Sequence, residues 1–394
     1  MKNPLFLCGP ANCGTNLVKA ILGVNKNIHL ESEPFLPLFQ FLRTEILKQN
    51  INDKKTKNTD PLFEYYFSQL DLKKLLIIQN SSLKVKIKKK QLNSLKKNIL
   101  KRMDDYVPHL KKNINNLKGK NFKKIFDNAL KIIDKNHKKK NPKWIGWMDS
   151  WIEEFFPILA KEYPKAKFIL ILRDPRAAVA SYTSYFKKNN MIQLAPLTLS
   201  YLRCWRKQVA FAEYFNLLNL LNNRIIIVKY EDVVENPKKI TKKLCKFLNI
   251  KYSNSMINTN NFMGLGKNTK KWIPNSNFNT NQKGIYKTSL NKWKKFLKKD
   301  LKNFIEFVVG IELKHLGYKR NIIKTKKSKI LRYHSIDYKS SKGWRTSKNS
   351  PLKDIEFEFS RHKILKLDKI KNLEITKNFL FKDAFLAFKN KVVR

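Results

Sequence analysis

The sequence predicts an α/β protein built on an open, mostly parallel sheet flanked by helices. Three observations carry that reading. Short apolar runs at 5–8, 168–172 and 225–228 suit strands covered on both faces. Each run ends in a loop followed by a helical pattern, which is the alternation of a parallel sheet. The 394 residues are 42% hydrophobic and 12% aromatic, enough apolar side chain to exclude wholesale disorder. The expected division is one α/β domain over 1–320, with a basic helical insertion at 36–140, and a C-terminal extension of unknown role over 321–394.

The elements follow in order. Leu5-Phe6-Leu7-Cys8 reads as the first strand and Gly9 to Gly14 as a turn. Leu17, Val18, Ala20, Ile21 and Leu22 then fall at helical spacing. In the insertion, Leu117, Phe122, Ile125, Phe126, Ala129, Ile132 and Ile133 recur at helical intervals. Between Lys84 and Lys124 stand fifteen basic residues against Asp104 and Asp105, so its exposed faces are basic. Trp151 to Tyr163 predicts an amphipathic helix, and Pro164-Lys165-Ala166 a turn. Phe168 to Leu172 is a central strand, broken by Arg173-Asp174-Pro175-Arg176, with a helix from about Ala177. Ile225 to Val228 is a further strand closed by Lys229-Tyr230-Glu231-Asp232, and Asn236-Pro237 opens a helix through Leu248. In the extension, Lys324 to Lys329 reads as a basic linker. Glu356-Phe357-Glu358-Phe359 alternates like a strand, and Phe379 to Phe388 predicts one amphipathic helix.

Charge bounds the partners. The chain carries 71 Lys and 12 Arg against 30 acidic residues, for a net charge of +53. Lys and Asn are abundant throughout, which reads first as compositional bias. The resulting field still attracts polyanions, such as an anionic membrane surface or an acidic glycan. No nucleic-acid recognition motif is present, and aromatics are not interleaved with the basic runs as a stacking platform requires, so no specific nucleic acid is expected. Cys8, Cys13, Cys204 and Cys245 form no CxxC and no metal spacing with His, which predicts reduced thiols and no metal site. No run of about 18 apolar residues exists, and residues 5–8 are too short for a signal core, so the expected location is cytoplasmic.

In open parallel sheets ligands sit at the carboxyl ends of strands, where the loops just named lie. Gly9-Pro10-Ala11-Asn12-Cys13-Gly14-Thr15-Asn16 separates two glycines by four residues, as in a loop that aims backbone N–H groups at a phosphate. A nucleoside-triphosphate loop would continue with Lys and then Ser or Thr; here those positions hold Thr15 and Asn16. The loop suits an anion but not Mg-ATP, which argues against a nucleotide kinase. Arg173 stands at a strand end and Ser181 about two helical turns on, a pair able to clamp a phosphate. The bland alternative pairs Arg173 with Asp174 and leaves Ser181 without a role.

In this order the motifs resemble the PAPS-dependent sulfotransferases, where PAPS is 3′-phosphoadenosine 5′-phosphosulfate, and most of all the bacterial and tyrosylprotein branch. The resemblance rests on Gly-x4-Gly-Thr and on Leu172-Arg173-Asp174-Pro175-Arg176-Ala177 with Val179, Ser181 and Tyr182. It extends to Tyr230-Glu231-Asp232 with Asn236-Pro237, to Trp272-x-x-Asn275-Ser276-x-Phe278, and to Leu290-Asn291-Lys292-Trp293. It covers 4–320, with 36–140 aligning poorly. It implies a P-loop-like sulfotransferase fold and metal-free sulfuryl transfer from PAPS to an acceptor hydroxyl of a saccharide, lipid or peptide. It also implies that Gly14, Thr15 and Asn16, with Asn12 and Cys13 of the same loop, hold the 5′-phosphosulfate. Arg173 and Ser181 would hold the 3′-phosphate, with Tyr230 and Lys283 near the nucleotide. Glu33 would be the general base, with His29 and Glu31 as alternatives. Two positions depart from the family. Asn12 stands where Arg or Lys is usual, and Met148 where a Lys is expected, although Lys19 and Lys143 are in supply. Those departures favour, as the alternative, a catalytically impaired nucleotide-binding relative.

Overall fold

The structure, a computed structural model, describes residues 2–60, 62, 69–137, 139–263, 284–285, 287–320, 326–343, 345, 349–367 and 369–392. Five strands form one sheet: β1 (Asn3–Cys8), β2 (Ile28–Ser32), β3 (Trp144–Met148), β4 (Lys167–Leu172) and β5 (Ile225–Lys229). Their order is β2-β3-β1-β4-β5, and every neighbouring pair is parallel. β1 is central, with Phe6 in register with Trp147 on one side and Phe168 on the other. Gly146 permits that packing, because a Cβ there would lie 1.8 Å from the Leu5 carbonyl oxygen.

Alternation along the strands builds two apolar layers. Leu5, Leu7, Ile169 and Ile171 face the helices Thr15–Val24 and Pro237–Leu248. Phe6, Cys8, Phe168, Leu170 and Leu172 face the larger layer, built with helices Phe156–Glu162, Pro175–Lys188, Thr198–Leu217 and Lys299–His315. Phe6 meets Trp147 edge-on, with ring centroids 4.9 Å apart. The insertion joins this layer through helices Leu36–Ile51 and Phe122–Asn136 and through Lys89–Tyr106, whose Leu95, Ile99 and Met103 are fully buried. Lys89, Lys90, Lys97 and Lys101 of that last helix are exposed.

The C-terminal helices Lys327–Ser340, Pro351–Ile364, Asn372–Phe379 and Lys382–Val392 pack onto the same layer. Their contact with Thr198–Leu217 is ionic as well as apolar. Arg203 binds Asp354 at 3.0 Å and Glu358 at 2.8 Å, Arg206 also binds Glu358, and all four are buried. Asp337 accepts the Thr198 backbone N–H at 2.9 Å, capping the helix from outside.

Several local expectations are corrected. Glu356 to Phe359 is not a strand but lies inside Pro351–Ile364. The buried positions there are Asp354, Ile355, Glu358, Arg361 and Ile364, a helical stripe in which three members are charged and paired, so apolar patterning hid it. Phe379 to Phe388 is not one helix, because Leu380 turns left-handed at φ +69° between Asn372–Phe379 and Lys382–Val392. Trp151 to Tyr163 is not helical throughout. Trp151 has φ +65°, Glu153–Phe155 is a 3-10 turn, and the helix spans only Phe156–Glu162 with Pro157 in its first turn. The helix after Arg173 begins at Pro175. Tyr230–Glu235 forms a short helix where a simple strand closure was expected. Lys327–Lys329 open a helix rather than continue a linker, while Lys324 lies outside the described residues.

Candidate active site

The loop after β1 is tied down by backbone contacts. The Cys13 N–H donates to the Pro10 carbonyl at 3.1 Å, and the Tyr201 hydroxyl donates to the Ala11 carbonyl at 2.7 Å. Asn12 and Gly14 are left-handed, at φ +63° and +85°. At Gly14 the requirement for glycine is double, because a Cβ would also lie 2.1 Å from Cδ2 of Tyr230. Helix Thr15–Val24 therefore starts with no side-chain cap and no acidic residue in its first turn. Its leading N–H groups and dipole offer a seat for an anion. Nearby, Asn16 Oδ1 is buried without a hydrogen-bond partner. Cys13 is fully buried, and that burial pushes its thiol well above the usual range, so it is no thiolate.

The loop after β4 reaches the same place. Arg173 Nη1 donates to the Asn12 carbonyl at 2.8 Å, and Ser181 Oγ donates to Asn12 Oδ1 at 3.5 Å. The guanidinium lies 4.3 Å from the centroid of Tyr230, whose ring covers Gly14. Arg173, Ser181, Tyr230, Asn12 and Gly14 are thus brought together. Arg173 does not pair with Asp174, whose carboxylate caps the next helix at the Arg176 N–H (2.9 Å) and binds the Arg176 guanidinium at 2.7 Å. Arg176 in turn binds Glu306 at 2.7 Å and stacks over Trp293. The second arginine of the motif is therefore structural. Glu231 secures the loop from below, accepting from the Asp174 N–H and the Tyr318 hydroxyl, both at 2.9 Å.

The ends of β2 and β3 form the other half. Glu33 follows β2 at φ +50°, and its N–H donates to the Met148 carbonyl at 2.6 Å. Arg102 grips it twice: Nε donates to the Glu33 carbonyl at 2.7 Å, and Nη2 binds Oε2. Asp149, the residue after β3, is fully buried, and neither of its carboxyl oxygens has a hydrogen-bond partner. Arg102 Nη2 stands 3.7 Å from its Oδ1. Burial raises the pKa of Glu33 against the pull of Arg102. Burial raises that of Asp149 much further, with Glu33 adding to the rise.

Glu31 differs from Glu33. Burial alone would raise its pKa, but hydrogen bonds from His109 and His29, both at 2.9 Å, outweigh it and hold the carboxyl well below the usual range. Glu31 and Glu33 therefore serve different partners. Met148 ends β3 and is buried. Lys143 cannot stand in for a cation at that end, because it precedes β3 and donates to the Asn249 carbonyl at 2.8 Å. Lys283 and the segment Trp272–Phe278 lie outside the described residues. Among the described residues no group of three or more His, Cys, Asp or Glu is arranged to hold a metal.

Sequence reasoning missed Arg102, Asp149 and Tyr201. Arg102 stands 69 positions from Glu33 and carried no motif. Asp149 had a signal, its place beside Met148 in the segment where a functional Lys was expected.

A sequence profile of the sulfotransferase family matches residues 4–254. Protein-tyrosine sulfotransferase 1 of Danio rerio is 33% identical over 110 residues, which is 27% of this chain and 29% of that protein, so the match spans under a third of the relative's length. Among solved structures, the sulfotransferase domain from the curacin biosynthetic pathway is 14% identical with a TM-score of 0.45, covering 82% of this chain and 99% of that one. Retinol dehydratase, in a complex with retinol and PAP, is 12% identical with a TM-score of 0.32, covering 81% and 83%.

Proposed function

The chain belongs to the sulfotransferase family, and on that premise we propose that it moves a sulfuryl group from PAPS to an acceptor hydroxyl of a saccharide, lipid or peptide. The observation that carries the reading is the meeting of Arg173 and Ser181 with the glycine loop at Asn12. The N–H groups of Gly14, Thr15 and Asn16 hold the 5′-phosphosulfate, with Asn12 and Cys13 completing the loop around it. Arg173 and Ser181 hold the 3′-phosphate, the group that separates this nucleotide from ATP and AMP. Tyr230 braces Arg173 from its open face. The resemblance also assigns Lys283 to the nucleotide.

Glu33 is the base. As the acceptor oxygen attacks sulfur, its O–H proton passes to Glu33 and its electron pair forms the new O–S bond. The bond from sulfur to the 5′-phosphate oxygen breaks, and adenosine 3′,5′-bisphosphate leaves. Glu33 suits the role better than Glu31, because two histidines already hold Glu31 ionised and engaged. A sulfuryl group carries less charge than a phosphoryl group, so this chemistry calls for no metal. The second reading, nucleotide binding without turnover, draws on Asn12 and Met148, which stand where the resemblance expects basic residues.

Among the described residues no helix is long and apolar enough to cross a membrane. We read the protein as cytoplasmic, drawn by its charge to anionic surfaces or acidic glycans, with 1–320 as the transferase domain and 321–394 as an appended segment. The test is calorimetry of the full chain with adenosine 3′,5′-bisphosphate and with AMP, then sulfation of an acceptor panel from radiolabelled PAPS. Binding with turnover supports the first reading, and binding without turnover the second.

A further inference from the structure

Arg102 is the residue of the insertion that the sulfotransferase reading does not use. Four lysines of its helix face solvent, yet Arg102 turns inward with its side chain only 20% exposed. Its guanidinium stacks 4.6 Å from the Tyr106 ring centroid and engages both the carbonyl and the carboxylate of Glu33. Glu33 needs such a hold. It stands left-handed at φ +50°, a conformation that costs a non-glycine residue on the order of 1–3 kcal/mol and persists only where neighbours enforce it.

We propose that Arg102 is a positioning residue for proton abstraction by Glu33, which makes the helical insertion part of the active site and not only a basic surface. The proposal rests on the reading of Glu33 as the base. The groups facing Glu33 are Arg102 and Tyr106 from the insertion helix, with Asp105 beyond them, and Asp149 and Ser150 from the β3 end. One guanidinium thus serves two carboxyl groups, the half-buried Glu33 and the fully buried Asp149. Two carboxylates at close quarters cannot both ionise cheaply, so the fully buried one, Asp149, holds its proton to the higher pH. The charge of Arg102 is then committed to Glu33. That commitment favours the ionised form of Glu33 against the burial that raises its pKa. In the transfer step Glu33 takes the acceptor proton, its bond to Arg102 loosens, and the product can leave a neutral carboxyl behind.

The test needs no known acceptor. Carbon-13 carboxyl labelling of the full chain gives the Glu33 titration, assigned by the resonance missing from Glu33→Gln. The wild type, Arg102→Gln and Arg102→Lys are titrated, and the affinity of each for adenosine 3′,5′-bisphosphate is measured. The expected result is a Glu33 midpoint raised by about one pH unit or more in Arg102→Gln, a smaller rise in Arg102→Lys, and nucleotide affinity changed by less than about twofold. A role in folding alone would not move the midpoint while sparing the affinity. Should Arg102→Gln fail to fold, Arg102→Lys decides the matter, since a lysine cannot grip both oxygens. A midpoint unmoved in either folded variant overturns the proposal. A wild type that ignores the nucleotide overturns the sulfotransferase reading instead.

Discussion

Glu31 and Glu33 stand two residues apart and face opposite surroundings. Glu31 is met by two imidazoles, while Glu33 shares one guanidinium with a fully buried neighbour. That neighbour, Asp149, has a measurable signature. Its folded pKa lies well above the ordinary aspartate value of about 3.9, so the native state binds a proton that the unfolded chain releases. Its contribution to stability is full below that ordinary value and is lost as pH rises toward the folded titration. Asp149→Asn mimics the protonated acid and has no such slope. Thermal unfolding from about pH 4 to pH 7 is expected to show the wild type losing stability relative to Asp149→Asn, by at most about 1.4 kcal/mol per pH unit. Parallel stability curves would mean that Asp149 is already ionised. None of this was legible from sequence, because an aspartate after a strand does not reveal how deeply it is buried or which helix covers it.

At the scale of elements, what was legible was local. The loop at 9–14 and the arginine turn at 173–176 announce themselves by spacing within about ten residues, and both fall at strand ends as expected. β2 and β3 were not legible as strands. Ile28-His29-Leu30-Glu31-Ser32 mixes polar and apolar residues, and both its polar side chains at 29 and 31 find partners from elsewhere in the chain or strand. The span 356–359 misled for a related reason: Glu358 is buried because Arg203 and Arg206 wait for it more than 150 positions away. Tyr230 packs tightly on Gly14. Gly14→Ala adds a Cβ 2.1 Å from the ring and imposes a left-handed alanine. The expected cost is about 1–3 kcal/mol in urea denaturation, together with loss of nucleotide binding as the ring is pushed off the loop. An alanine variant of unchanged stability and binding would show that Tyr230 does not brace the loop.

At the scale of the whole molecule, helix Thr198–Leu217 joins helix Pro351–Ile364 to the loop at 9–14. Tyr201 and Trp205 hold Ala11 and Arg173 (2.7 and 2.9 Å), while Arg203 and Arg206 of the same helix meet Glu358. Burial would raise the pKa of Glu358, but the two arginines hold its carboxyl at about 2. Glu358→Ala leaves Arg206 buried beside a missing charge, with an expected loss of about 3–5 kcal/mol by denaturant titration. Glu358→Ala with wild-type stability would show that the C-terminal helices contribute nothing there. The net charge of +53 acts over the same scale and would bind any polyanion weakly, so affinity for a nucleotide alone proves little. Discrimination is the sharper quantity. The most direct measurement is calorimetry of the full chain and of Arg173→Ala against adenosine 3′,5′-bisphosphate and AMP at equal ionic strength. A clamp of charge-assisted hydrogen bonds worth about 1.5–3 kcal/mol predicts that the wild type prefers the bisphosphate by roughly 10–100-fold and that Arg173→Ala abolishes the preference. Equal affinity of the wild type for the two nucleotides would contradict the account.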